Sequence, residues 1–492
     1  MSDPTLLAID QGTTSSRAMI FSNQGNVLAA QQKELTLYYP HKGWVEQDPT
    51  ELWQDTLWAC KSVLQHSNNV ASIGITNQRE TTIIWDRATG EPIYNAIVWQ
   101  DRRTADFCQQ LKTAGHEAMI STRTGLLLDP YFSATKILWI LDNIKGARQK
   151  AEAGELAFGT VDSWLLWNLT NGAVHATDAT NAARTLLFNI VTQCWDDELL
   201  KLFDIPRSLL PQVNDNVSDF GYTSKSLFGK EIPIGAMVGD QQAALIGQAC
   251  FNQGMVKATY GTGCFALINI GGQFRESKSG MLTTIAYRLN GETTYAIEGS
   301  IFSAGSAIQW LRDGLGLFAN AAQSEALATS VPDNNGVYFV PAFSGLGAPH
   351  WNPHARATIS GLTRESTAAH ITRAALEAQA YQTLDLLAAM QADSQHNPEV
   401  IRADGGLMAN EFVCQFVADM LEKPVEIPQH TETTAKGAAY LAGLHAGIYS
   451  GLNEISDAWH CHRRYEPSMN SSTRNALYDG WKEAIAPLLN SP

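Results

Sequence analysis

Short apolar runs separated by turns open the chain. "LLAID" and "SRAMIF" read as two buried strands on either side of a tight turn, and "GNVLAAQQKEL" reads as a third. "DPTELWQDTLWACKSVLQ" then switches to helical spacing. Asp48 fits the capping position, Pro49 the first helical position and Glu51 the first turn. Leu52, Trp53, Thr56, Leu57, Cys60, Val63 and Leu64 fall on one face of that helix. "VASIGITNQ" and "TTIIWD" follow as strands. Three meandering strands, a helix and a further strand predict a mixed sheet.

The same theme returns past the middle. "IPIGAMVGD" is a buried strand that ends in Asp240, and "QQAALIGQA" is the helix after it. "MVKATYGTGCFALINI" repeats strand, glycine–threonine turn and strand. "STAAHITRAALEAQAYQTLDLLAAMQ" predicts a long helix, and "EVIRADGGLMANEFVCQFVADML" a strand, a glycine turn and a helix. Two halves that each open on a hairpin around a Gly-Thr turn indicate a duplicated α/β fold, expected to divide near Cys250 into residues 1–249 and 250–492. A chain of 492 residues is long enough for two domains.

Charge narrows the choice of partner. Asp and Glu number 49 against 34 Lys and Arg, a net −15, which argues against a nucleic-acid surface but allows a local site for a small anion. The seven cysteines (Cys60, Cys108, Cys194, Cys250, Cys264, Cys414 and Cys461) are scattered and contain no C-x-x-C, as expected of reduced thiols. "MSDPTLLAID" lacks the basic region and the long apolar run of a secretory signal, and no apolar stretch is long enough to span a bilayer. A cytoplasmic protein is expected.

Three glycine turns are candidates for nucleotide contact: "DQGTTSS" at 10–16, "YGTGC" at 260–264 and "DGGLMAN" at 404–410. Glycine lets backbone N–H groups approach an anion closely, and Thr13, Thr14, Ser15 and Thr262 add small hydroxyl donors. Asp10, at a strand end, suits a hard cation such as magnesium held through water, and Arg17 suits a phosphate. There is no G-x-x-x-x-G-K-[ST] and no G-x-G-x-x-G after a strand, and the "DFG" at 219–221 lacks every companion motif of a protein kinase. "HCH" at 460–462 has no partner ligands in sequence, so it reads as incidental.

Several longer stretches go further. "AIDQGTTSSRA", "GWVEQDPTELW", "GITNQRETTIIWD", "NAIVWQDRRT", "YFSATKILWILDN", "GDQQAALIGQ", "YGTGCF", "SAIQWLRD", "SGLGAPHW" and "DGGLMAN" run over nearly the whole chain. Together they resemble the FGGY carbohydrate-kinase family, with residues 131–143 and 360–377 resembling its two characteristic patterns. The resemblance implies a two-domain actin-like ATPase fold: duplicated ribonuclease H-like domains, mixed central sheets flanked by helices, and ATP in the cleft between them. "NQRETT" with "VWQDRRT" resembles the glycerol branch of the family, so ATP-dependent phosphorylation of glycerol is the expected activity, with Mg2+ as cofactor. By resemblance Arg79, Glu80, Tyr131, Asp240 and Gln241 bind glycerol, while Trp99 and Phe265 pack on its carbon chain. From sequence alone those two aromatics read equally well as core residues.

Asp240 is the expected catalytic base. It stands where a strand gives way to a helix, so the helix dipole is expected to keep it ionised and weakly basic, which suffices where transfer rests on positioning. The resemblance assigns the phosphates to Thr13, Thr14, Ser15, Arg17 and Thr262, further nucleotide contacts to Gly305, Gln309, Gly406 and Asn410 (the last two near adenine), and magnesium to Asp10 and Asp240. It also implies a homodimer or homotetramer and a cleft that closes against water. Regulation is not expected to carry over. "YTSKSLFGKEIPIG" lacks the Gly-Gly-Thr-Arg loop that binds fructose 1,6-bisphosphate in some relatives, and no histidine lies between His175 and His350 for a phosphorylation switch. The alternatives are another FGGY kinase, acting on a pentulose, hexulose or gluconate, and an actin-like or chaperone-like ATPase with no acceptor.

Overall fold

The computed structural model describes residues 3–489. Its first sheet contains β1 (Thr5–Gln11), β2 (Ser15–Ser22), β3 (Val27–Glu34), β4 (Val70–Asn77) and β5 (Ile234–Gly239), in the order β5-β4-β1-β2-β3. β1, β2 and β3 form the antiparallel meander read from the sequence, and β4 and β5 add in parallel beside β1. The second sheet contains β6 (Val256–Tyr260), β7 (Cys264–Gly271), β8 (Leu282–Leu289), β9 (Glu292–Ile301), β10 (Ile401–Asp404), β11 (Val425–Pro428) and β12 (Cys461–Tyr465). Its order is β8-β9-β7-β6-β10-β11-β12.

Within it, β11-β10-β6-β7-β9 repeats the first sheet strand for strand and direction for direction. The third place of the second meander is taken by β9, because β8 pairs outside it as an extra edge. One strand departs from expectation. Residues 83–86 pair antiparallel with residues 156–159, away from the main sheet, in an insertion that lies between β4 and β5.

Helix α1 (Pro49–Leu64) forms where predicted, with the Asp48 carboxylate accepting from Thr50 N at 2.7 Å. Its face buries Leu52, Cys60 and Val63 against Leu7, Ile9, Ile73 and Ile75. α2 (Ser133–Asn143) belongs to the insertion, whose own core gathers Ile84, Ile97, Phe132, Ile137 and Phe158.

Between the lobes run α3 (Asp240–Gly247) and, much later in the chain, α7 (Thr433–His445). The intervening helices of the second half include α4 (Gly305–Asp313), α5 (Ala368–Ser394) and α6 (Glu411–Leu421). α7 comes from the second half yet packs on β1, β4 and β5, whereas α3 from the first half reaches β6, β7 and β8. The two helices cross at glycines. A Cβ on Gly437 would lie 1.9 Å from the Ala243 carbonyl oxygen, and one on Gly247 would lie 1.9 Å from that of Thr433. Around this crossing, Leu6, Ala8, Phe21, Val238, Ile246, Cys250, Leu267 and Ala439 form one apolar seam shared by both lobes.

Candidate active site between the lobes

Both Gly-Thr hairpins stand at the same cleft. The first, between β1 and β2, is closed by Gly12 N donating to Ser15 O at 2.9 Å. Gln78 Nε2 donates to Gly12 O, and Gln47 Nε2 donates to Thr13 O at 2.6 Å. Thr14 is exposed at the tip, with Thr13 and Ser15 half-buried beside it.

The second hairpin, between β6 and β7, is fastened to the start of α4. Gly305 N donates to Gly261 O at 2.9 Å, and Ala304 and Ser306 N both donate to Thr262 O. A Cβ on Gly305 would sit 2.6 Å from Gly261 O, so the helix start approaches the turn more closely than any larger residue permits. Gln309 is exposed one turn along α4. The third turn stacks on the end of β6. Gly405, at φ +96°, leaves room for a Cβ only 2.4 Å from Tyr260 O, while Gly406 is exposed and open. Asn410 is buried, and its Oδ1 caps α6 by accepting from Val413 N at 3.0 Å.

Arg17 follows the first hairpin on β2. Its guanidinium donates to Gln32 Oε1 at 2.8 Å and pairs with Glu432 at the start of α7, tying β2 to the second half. Asp10 sits opposite it on β1. Burial, with the nearby charge of Asp240, pushes the Asp10 carboxyl up to about 7 despite Arg17.

Arg79 and Glu80 follow β4, and the structure does not pair them simply with each other. Arg79 Nε lies 3.1 Å from Asp240 Oδ1, at the first residue of α3, against 4.0 Å from Glu80. Its two terminal nitrogens grip Glu298 of β9 at 2.6 and 2.9 Å. Glu80 instead accepts from Arg184 Nε at 2.6 Å, and Arg184 Nη2 donates to Glu298 at 3.1 Å. Glu80 adopts φ +61°, a strained conformation for a residue with a side chain. Ser133 Oγ and Thr82 Oγ1 fix it there by donating to its carbonyl.

Tyr131 stands beside this cluster on a loop pinned by the buried Lys136 ammonium, which donates to the carbonyls of Pro130, Tyr131 and Phe132. Trp99 and Phe265 are not core residues. Both are half-buried and meet edge to face at 6.4 Å, with Trp99 from the first half and Phe265 from β7. Trp99 Nε1 also donates to Thr13 Oγ1 at 2.9 Å, joining the aromatic wall to the first hairpin.

The structure corrects the basicity expected of Asp240. The charges of Arg79 and Lys257 and the Gln241 N–H favour the carboxylate, but burial outweighs them and its affinity for a proton rises. It is therefore a stronger base than a helix-start position alone implies. Glu298, more deeply buried, is held down to about 2, because Arg184 and Arg79 together overcome its desolvation. Beneath Asp240, the buried Lys257 on β6 donates to Gln241 Oε1 at 2.5 Å and to Thr259 Oγ1 at 3.1 Å.

The sequence reading does not include Glu298, Arg184 or Lys257, although a signal exists. "AIEGSI", "NAARTLLF" and "MVKATY" each place a charge inside an apolar run, a position that only a paired or functional charge occupies.

Magnesium prefers one or two carboxylates together with waters and substrate phosphates. Asp10 and Asp240 supply two mutually repelling oxygen donors of that kind, and among the described residues no cluster of three acidic, His or Cys ligands competes with them. Cys461 and His462 of the "HCH" stretch lie on the exposed edge strand β12, and His460 precedes it.

A duplicated α/β fold that presents glycine–threonine hairpins from both lobes to one cleft, opposite a polar pocket with a carboxylate at a helix start, defines a two-lobed small-molecule kinase. The chain belongs to the FGGY family of carbohydrate kinases, matching the N-terminal domain of that family over residues 5–247 and the C-terminal domain over 256–446. It is 62% identical to a glycerol kinase of Nitrosomonas eutropha over 99% of both chains, and 56% identical to glycerol kinase 2 of Thermotoga maritima over 98% of both. The crystal structure of Plasmodium falciparum glycerol kinase with ADP superposes with a TM-score of 0.94 at 36% identity, covering 100% of this chain and 99% of that one. A gluconate kinase from Lactobacillus acidophilus shares the fold at a TM-score of 0.91 but only 22% identity.

Proposed function

We propose that the protein transfers the γ-phosphoryl group of ATP to a terminal hydroxyl of glycerol, giving sn-glycerol 3-phosphate and ADP. The observation that carries this reading is the convergence of Arg79 and Glu80, after β4, with Asp240, at the start of α3, on one pocket between the two hairpins. Glycerol kinases among the relatives, at 56–62% identity over nearly the full length, support it. Residues 1–249 and 250–492 act as the two lobes, and seven free cysteines suit a reducing cytoplasm.

A polyol hydroxyl both donates and accepts, so Arg79 as donor and Glu80 as acceptor orient it, with Tyr131 and Gln241 alongside and Trp99 and Phe265 against the carbon chain. Asp240 Oδ1 is occupied by Gln241 N–H at 2.6 Å and Arg79 Nε at 3.1 Å, whereas Oδ2 has no protein donor among the described residues. Oδ2 takes the hydroxyl proton as the new O–P bond forms and the bond between the γ-phosphorus and the bridging oxygen breaks. Thr13, Thr14, Ser15, Arg17 and Thr262 hold the phosphates, Gly305, Gln309, Gly406 and Asn410 the rest of the nucleotide, and Asp10 and Asp240 the magnesium ion. When bound, that ion neutralises the phosphate charge.

A coupled ADP-release assay with glycerol, xylulose, gluconate and no acceptor tests the assignment. Glycerol-dependent turnover is expected. Equal turnover without acceptor overturns the kinase reading, and faster turnover with xylulose or gluconate reassigns the substrate.

A further inference from the structure

The pocket beside Asp240 contains more charge than a neutral polyol needs, and that charge is balanced. Arg79 and Arg184 face Glu80 and Glu298, and all four are at most 3% exposed. Apart from the long 4.0 Å contact between neighbours Arg79 and Glu80, the ion pairs among them link different segments. Arg79 and Glu80 come from the end of β4, Arg184 from the insertion and Glu298 from β9 of the opposite lobe. Glu298 uses both oxygens on Arg79, and Oε1 also serves Arg184.

A buried arginine without such a partner is a strong binder of carboxylates and phosphates, because its fork matches their two oxygens. Here Glu298 occupies that fork. Arg184 is engaged by Glu80 and Glu298, and its remaining Nη1 makes no hydrogen bond. Its guanidinium lies 5.6 Å from the Tyr131 ring and 5.3 Å from that of Phe132. Lys257 is likewise engaged by Gln241 and Thr259. Among the described residues, both arginines of the pocket are thus paired with carboxylates, and the Lys257 ammonium is taken up by neutral oxygens.

We propose that Glu298, with Arg184, is a specificity-determining residue: by occupying the Arg79 fork from the opposite lobe, it restricts the acceptor site to uncharged polyols and excludes carboxylate-bearing analogues. This rests on the glycerol reading above. The exclusion is electrostatic. A carboxylate entering the pocket must displace Glu298 from Arg79 or sit beside it uncompensated, and leaving either carboxylate buried without its partner is costly. A neutral hydroxyl brings no charge and leaves the Glu298–Arg79 pair in place.

The test compares glycerol with D-glycerate, the same three-carbon skeleton with one terminal carbon as carboxylate. Binding is measured by calorimetry and inhibition by the ADP-release assay, for wild type and Glu298→Gln. Wild type is expected to bind glycerate at least about a hundredfold more weakly than glycerol. Glu298→Gln, which keeps an acceptor but not the charge, should lose kcat on glycerol yet bind glycerate about tenfold more tightly than wild type does. A residue needed only for folding would weaken both ligands. Glycerate binding by the folded variant that is unchanged or weaker overturns the proposal. So does wild-type affinity for glycerate within tenfold of that for glycerol, a comparison that stands even if the variant does not fold. Absence of glycerol turnover in wild type would instead defeat the underlying assignment, so the two failures are distinguishable.

Discussion

Replacing Asp240 with asparagine changes one atom and reverses the polarity of the site. The Oδ1 position of Asp240 accepts from Gln241 N–H at 2.6 Å and faces the Arg79 guanidinium, whose Nε lies 3.1 Å away. An asparagine must therefore put its carbonyl oxygen there, which forces the NH2 group into the Oδ2 position facing the acceptor hydroxyl. The hydroxyl then meets a donor where it needs a proton acceptor. General-base assistance is worth about 10²–10⁴-fold, so kcat should fall by that factor, about 2.7–5.5 kcal/mol on the barrier. The amide still hydrogen-bonds the hydroxyl oxygen, so KM for glycerol should move by only about threefold. The ADP-release assay at saturating ATP with varied glycerol measures both constants, and the thermal midpoint checks that the fold is intact. A folded Asp240→Asn enzyme with kcat within tenfold of wild type would refute the proton-acceptor role.

Two further outcomes follow from packing and titration. Gly437→Ala places a methyl 1.9 Å from Ala243 O, so α3 and α7 must part by about 1.5 Å to restore van der Waals contact. That belongs at the top of the overpacking range, about 3 kcal/mol, and calorimetry should show the melting temperature falling by roughly 3 °C. An unchanged transition would contradict the close crossing. His175 is held half-buried as a neutral ring, its Nε2 donating to Phe158 O at 2.8 Å and its Nδ1 accepting from Arg87 at 3.1 Å, and desolvation depresses its pKa to about 4. The unfolded chain takes up that proton near pH 6.5, so this contribution is complete above 6.5 and is lost as pH falls toward 4. The loss amounts to about 3 kcal/mol. Denaturant titrations between pH 7 and pH 4.5 should show a shallower loss in His175→Gln than in wild type, and equal slopes would rule out this histidine as the cause.

The parts legible in the sequence were those encoded locally. "DQGTTSS" and "YGTGC" identify their hairpins because glycine and small hydroxyl residues suit such turns wherever they stand. The two halves could be matched because each places its turn directly after a buried strand. The capping of α1 by Asp48 and the course of α5 were equally readable, since caps and helical spacing involve neighbours in sequence. What escaped was long-range. Glu298 and Arg184 lie 114 residues apart, and Glu298 and Arg79 lie 219 apart, so nothing in either segment names its partner. The pairing of residues 83–86 away from the main sheet was hidden for the same reason, because an apolar strand does not state which strand it joins. Asp240 was correctly placed at a helix start, but its basicity was underestimated, since burial is a property of everything that surrounds it.

The crossing of α3 and α7 bears on how such a molecule moves and arises. Each half lends a helix to the other's sheet, so a cut at their junction would yield two fragments that both lack a piece of their own interior. Because the two helices meet backbone to backbone at the glycines, any rearrangement of the halves must either keep that contact or break it. The reciprocal exchange is also what two identical ancestral copies would show as a swapped dimer, later joined into one polypeptide.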